Sequence, residues 1–242
     1  MSFKLAQQSV IVTGAAQGLG AAIARRFAQE GARLALLDYN AASLADTAQA
    51  CGSKAMPIEV DLSSADDTDR AIAQALAQLG TVDTLIHNAA ILDRRLFVDE
   101  TFASFTRTLN VGLQAGFQLA HAVWPGMAAQ GGGAIVFVSS RSGIEGFVEE
   151  AAYCASKHAL EGLAKSLAME GQPHGITANT ISPGMYMRTP MSDRNYNEDL
   201  KSKWVDPMLL TSAFVSLAER RDPASSGQRI DAWALSRQID GR

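Results

Sequence analysis

Short apolar runs bounded by glycine, serine or asparagine alternate along this chain with longer stretches of helical composition. Residues 9–13 (SVIVT), Arg33–Leu37, Ala55–Val60, Thr84–His87, Ala134–Val138 and Ile176–Ile181 are almost continuously apolar, the signature of strands buried on both faces. Between them, Ala21–Glu30, 65–79, 101–129 and a stretch through Tyr153 and Lys157 to about Met169 read as helices. The pattern predicts an α/β fold: a Rossmann-type doubly wound parallel sheet with helices on both faces, in three αβα layers. No repeat, linker or low-complexity tract interrupts it, so a single domain over residues 1–242 is expected. Residues 185–212 break the alternation, with a polar centre, Pro190 and Pro207. This segment reads as a mobile cover with short helices, or as a surface excursion with no role.

In such sheets, ligands bind outside the carboxyl ends of the strands. The polar features of the chain fall at those ends: the glycine loop, Asp38, Asp61, Asn88, Ser140 and Pro183-Gly184. The first strand runs straight into Gly14-Ala15-Ala16-Gln17-Gly18-Leu19-Gly20, followed by a helix. Glycines let the backbone approach a pyrophosphate, and the helix start offers free N–H groups and a positive dipole end. Asp38 ends the next strand, 18 residues beyond Gly20. A carboxylate there accepts hydrogen bonds from ribose hydroxyls and repels a 2′-phosphate. No Arg or Lys lies in the loop or directly after Asp38, so NAD is expected over NADP.

Composition narrows the partners. The chain is 47% hydrophobic and 19% charged, with net charge -4 and pI near 5.6, which offers no basic surface for nucleic acid or anionic membrane. No apolar run approaches the roughly 20 residues of a membrane span. The first residues, Met1 to Leu5, lack signal-peptide character, and Cys51 and Cys154 show no metal-ligand spacing. A cytoplasmic protein with reduced thiols and no metal is expected.

Tyr153 and Lys157 are four residues apart in a helical stretch, so they share a face. A lysine cation there would favour the phenolate and turn a phenol of pKa about 10 into a usable acid or base. The same spacing also occurs on ordinary solvated helix faces.

The chain resembles the short-chain dehydrogenases/reductases, in their single-domain branch, from near residue 5 to near 230. The resemblance rests on TGAAQGLG at 13–20, Asp61-Leu62, Asn88-Ala89-Ala90, Asn110, Ser140, YCASK at 153–157 and Pro183-Gly184. It implies an NAD-dependent oxidoreductase that interconverts a secondary alcohol and a ketone. Tyr153 would be the general acid/base, and Ser140 would hold the substrate oxygen, with Ser139 facing the other way. Lys157 would lower the tyrosine pKa and bind the nicotinamide ribose, and Asn110 would hold a water on the proton path. The implied cofactor contacts are Gly14, Gln17, Gly18, Leu19 and Gly20 at the pyrophosphate, Asp38 at the ribose, and Asp61 and Leu62 at the adenine. Asn88 and Ala89 would border the cofactor, and Pro183, Gly184 and Thr189 would face the nicotinamide. A homo-oligomer, tetramer or dimer, is also implied, although the final ALSRQIDGR departs from the usual glycine-rich finish.

Arg141, which would touch substrate with Ser140 and Tyr153, together with Arg94, Arg95, Glu145, Glu149 and Glu150, makes the expected approach to the site charged. That suits a sugar, polyol or hydroxy acid, unless those charges simply face solvent. A non-catalytic NAD sensor on the same fold is the alternative. A sugar-nucleotide epimerase would need a larger C-terminal substrate region.

Overall fold

The computed structural model describes residues 4–219 and 222–242; Met1, Ser2 and Phe3, part of the stretch read above for leader character, lie outside them. Seven strands form one fully parallel sheet: β1 (Ser9–Thr13), β2 (Arg33–Asp38), β3 (Ala55–Glu59), β4 (Thr84–His87), β5 (Gly133–Val138), β6 (Ile176–Ser182) and β7 (Arg229–Asp231). Their order is β3-β2-β1-β4-β5-β6-β7. The direction of winding reverses between β1 and β4, which opens a crevice at the carboxyl ends of those two strands.

Strand alternation sorts the apolar side chains onto two faces. Ile11, Ala35, Leu37, Leu85, Ile135 and Phe137 point into one core, with helices α3 (Ala65–Leu79), α5 (Ala115–Ala129) and α6 (Ala151–Gly171). Val10, Val12, Leu34, Leu36, Ile86 and Val136 point into the other, with α1 (Gly18–Gln29), α2 (Ala41–Cys51), α9 (Thr211–Glu219) and α10 (Ala232–Asp240). The doubly wound αβα arrangement is therefore the one the apolar pattern predicts.

Several boundaries differ from the sequence expectation. Helix α1 starts at Gly18, not Ala21, because the first turn is held in place by the loop although it contains two glycines. Helix α2 has no counterpart in the predicted elements; it buries only Leu44, Thr47 and Ala48, too few positions to leave a periodic signal. The expected helix over 101–129 is α4 (Phe102–Leu109), a π-turn over Asn110–Gln114, and α5. The segment after β6 carries the expected short helices, α7 (Pro190–Asn195) and α8 (Glu198–Lys201), with Met187 bridged to Val205. Among the described residues, no helix is long and apolar enough to cross a membrane.

Candidate active site

Two groups of residues meet at the carboxyl edge of the sheet. The first is built from backbone. Gly14 and Gly18 have φ of +64° and +56°, where side chains are strained. A Cβ on Gly20 would lie 2.0 Å from the Gly14 carbonyl oxygen, so the loop closes onto the start of α1 only with glycine there. Gln17 caps α1 without a side-chain hydrogen bond, whereas Asn40, Ser64, Thr101 and Thr189 cap α2, α3, α4 and α7 through their side chains. Among the described residues, the start of α1 thus has no capping side chain, the arrangement that receives a phosphate.

Asp38 is buried and anchors this half. Its carboxylate accepts the Ala16 and Asn40 amides, each at 3.0 Å. Asn88 donates through Nδ2 to the carbonyls of Thr13 and Gly14, both at 3.1 Å, and so links the end of β4 to the glycine loop. Thr13 Oγ1 accepts the amides of Asn88 and Ala89, leaving its own proton for His87 Nδ1 at 3.0 Å. His87 Nε2–H then donates to the Gly112 carbonyl, 3.0 Å away inside the π-turn. Burial, then Lys157, holds the His87 pKa down at about 4, so the ring is neutral.

Tyr39, one residue past Asp38, lines a cleft with Ile58, Glu59, Asp61, Asp67 and Arg70. No local sequence signal links Arg70 to Asp38, which is 32 positions earlier in the chain. Its guanidinium donates to Asp67 at 2.7 Å and to the Glu59 carbonyl at 2.8 Å. Of the two residues expected at the adenine, Asp61 lines this cleft and accepts the Ser63 hydroxyl at 2.7 Å, while Leu62 is buried in the core.

The second group is built from side chains. Ser140 sits just past β5, where its Oγ accepts the Ser142 amide at 3.2 Å and donates to the Ser142 hydroxyl at 3.3 Å, and it acts electrostatically on the Tyr153 phenol. Ser139 does face the other way, donating to the buried Glu161 carboxylate. Burial pushes the Tyr153 phenol above the ordinary tyrosine range; the Ser140 hydroxyl opposes this, and Tyr196 and Glu150 add to it. Lys157 is 2% exposed, with Nζ 5.4 Å from the centroid of the Tyr153 ring and donating to the Val138 carbonyl at 2.7 Å. Its pKa falls to about 8 through burial, partly offset by Glu161. The expectation that Lys157 lowers the phenol pKa is therefore corrected: Lys157 is not among the groups that shift Tyr153, and burial raises it.

Asn110 lies in the π-turn, its Nδ2 donating to the Ser63 carbonyl at 2.9 Å. Thr189 caps α7 through its hydroxyl, and its Cβ and Cγ2 would be 3.2 Å from a Cβ on Gly18, so the segment after β6 rests on the glycine loop. Gly184, at φ +73°, turns against Asp231, and the Pro183 carbonyl accepts the Trp233 amide at 3.1 Å. Arg141 is exposed and paired with Glu145 at 3.1 Å, so it lies on the rim.

A dinucleotide loop at a sheet crevice, beside a Ser-Tyr-Lys cluster, defines a nucleotide-dependent oxidoreductase architecture. The comparisons with known proteins make this specific. The family model of the short chain dehydrogenases matches residues 8–200. Sorbitol dehydrogenase of Cereibacter sphaeroides is 33% identical over 183 residues, 75% of this chain and 72% of that protein. L-Xylulose reductase of Mus musculus is 34% identical over 204 residues, 84% of this chain and 81% of that protein. The solved structure of a short-chain type dehydrogenase/reductase from Mycobacterium marinum superposes with TM-score 0.86 at 28% identity, covering 96% of each chain. One described as an NAD(P)-dependent gluconate 5-dehydrogenase from Beutenbergia cavernae, with NADP bound at low occupancy, does so with TM-score 0.86 at 27% identity, covering 97% of this chain and all of that one. The chain belongs to the short-chain dehydrogenase/reductase family, oxidoreductases of CH–OH groups that use a nicotinamide cofactor.

Proposed function

We propose that this protein interconverts a secondary alcohol and a ketone on a polyol or sugar, with NAD as cofactor and Tyr153 as general acid/base. The observation that carries the reading is the Tyr153 phenol under the influence of the Ser140 hydroxyl, with Lys157 Nζ 5.4 Å from the centroid of its ring. A substrate oxygen within reach of both hydroxyls would be held by Ser140 and would exchange its proton with Tyr153. The bound cofactor supplies the hydride acceptor or donor at the substrate carbon. The phenol pushed upward in the free protein is neutral, the form that donates a proton to a ketone oxygen. Alcohol oxidation requires the phenolate, which the Lys157 cation would stabilise once its charge is turned to the site.

Asp38 supports NAD: its carboxylate is fixed by two amides, and the guanidinium lining the nearby cleft is engaged with Asp67 and Glu59. The rim supports a neutral substrate. Arg94 pairs with Glu149 and Glu150, Arg95 with Asp93, and Arg141 with Glu145, so these arginines are already neutralised. Similarity to sorbitol dehydrogenase and L-xylulose reductase points to the same polyhydroxylated class over a hydroxy acid. A cytoplasmic homo-oligomer completes the reading, since the exposed Phe102 and Phe117 on α4 and α5 would be covered by a second copy.

The test is a panel of polyols, sugars, hydroxy acids and simple alcohols, assayed with NAD and with NADP by reduced-nicotinamide absorbance. Turnover of polyols or sugars with NAD is expected. Cofactor binding without turnover across the panel would favour the sensor reading, and better turnover with NADP would overturn the cofactor assignment.

A further inference from the structure

Glu161 lies on α6 one turn beyond Lys157 and two turns beyond Tyr153, with its carboxylate turned into the sheet. It is 7% exposed and accepts from the Ser139 hydroxyl, from the Thr180 hydroxyl at 2.7 Å and from Arg229 Nε at 3.2 Å. Arg229 also reaches the Ser140 carbonyl with Nη2 at 3.0 Å. One ion pair therefore joins α6 to residues at the ends of β5, β6 and β7, directly behind Ser140. The turn after Ser140 is fitted to it: a Cβ on Gly143 would lie 2.6 Å from Ser139 Oγ and 3.2 Å from Glu161 Oε1. An ion pair with one buried and one solvent-reached partner is weak evidence for stability. Its placement against the reacting groups asks for another role.

We propose that Glu161 and Arg229 are positioning residues for the reaction, fixing the Ser139–Ser140 turn so that Ser140 faces Tyr153, and setting the field around Lys157. This rests on the alcohol–ketone reading above. The mechanical half follows from strand alternation, since Ser140 faces the cleft only while Ser139 is held the other way by Glu161. The electrostatic half follows from position on the helix: the Glu161 carboxylate, one turn away, helps Lys157 keep its proton against burial. The other groups that face Lys157 are Tyr153 on the same helix, neutral His87 from β4 and the Val138 carbonyl of β5. Arg229 reaches in from β7 and tempers the carboxylate. The last strand, just ahead of the ending that departs from the family's, is thereby tied to the catalytic turn.

The test compares wild type, Glu161→Gln and Arg229→Met for kcat, KM, cofactor affinity and the titration of Lys157 in the free protein, followed by NMR on isotope-labelled lysine. Both variants are expected to lose about 10- to 100-fold in kcat, with KM and cofactor affinity nearly unchanged. Glu161→Gln should move the Lys157 titration to lower pH and Arg229→Met to higher pH. A purely structural pair would lower the melting temperature without moving the titration in opposite directions. Wild-type kcat in both variants, or an unmoved titration, overturns the proposal. Should Glu161→Gln not fold, Arg229→Met and Thr180→Val decide it by the same readouts. A wild type inactive on every alcohol sinks the functional reading instead, and the Lys157 titration still decides whether the pair sets its field.

Discussion

The two halves of the site are made of different material. On the β1–β4 side the polar groups are backbone, or side chains consumed by backbone: Asp38 holds two amides, Asn88 two carbonyls and Thr13 two amides. On the β5–β7 side they are ionisable side chains held away from their ordinary protonation ranges, with Lys157 pulled down and Tyr153 pushed up. The first half fixes a shape and the second stores a bias in proton affinity. Perturbed groups concentrate where proton transfer is to occur.

That division predicts a separation of phenotypes. Tyr153→Phe should lower turnover by about 10²–10⁴-fold while cofactor affinity, read by fluorescence titration, stays within a few-fold. Gly20→Val should do the reverse, losing cofactor affinity because its side chain meets the Gly14 carbonyl. Substantial turnover in Tyr153→Phe, or parallel losses of affinity in both variants, would break the comparison.

Lys157 carries the cost of the second half. Its fall from 10.5 to about 8 on burial amounts to on the order of 3 kcal/mol. Because the unfolded chain binds that proton more tightly, the cost is present in full below about pH 8 and fades as pH rises toward 10.5. Lys157→Met should therefore abolish most activity yet raise the melting temperature at pH 7, with the gain shrinking by pH 10. A variant that is both inactive and less stable at pH 7 would show that the bond to Val138 outweighs desolvation.

The same contrast governs what could be read from the sequence. The glycine loop, Asp38 and Asn88 were legible because each works through neighbours close along the chain or through a strand end, where the apolar pattern marks the position. Glu161 and Arg229 were not, since they are 68 residues apart and meet only because β7 lies beside β6. The π-turn at Asn110 left no trace because its residues continue the composition of the helices on either side. The direction of the Tyr153 shift was also hidden: the pattern pairs it with Lys157, but only the fold shows that desolvation is the larger effect on the phenol.

Asp38 offers a finer probe of the first half. Asp38→Ala should reduce the preference for NAD over NADP by about tenfold, with kcat on the preferred substrate little affected. It should also lower the melting temperature, because the Ala16 and Asn40 amides lose their acceptor. Unchanged cofactor preference would leave Asp38 a purely structural anchor.

The smallest effect lies where the halves join. His87 links Thr13, beside the glycine loop, to Gly112, beside Asn110, and is neutral with its pKa held at about 4. Its folded pKa is below the ordinary 6.5, so the unfolded chain takes up the proton first as pH falls. The stability it contributes is complete above about pH 6.5 and is lost progressively toward pH 4, by about 3 kcal/mol at most. His87→Asn removes that titration along with one hydrogen bond. The variant should be less stable than wild type by about 1–2 kcal/mol at pH 7, and the gap should narrow as the solution is acidified to pH 5. Urea unfolding at the two pH values measures it. A gap that stays constant would mean that His87 is not the acid-sensitive joint between the two halves, and that the link from the glycine loop to the π-turn runs through packing alone.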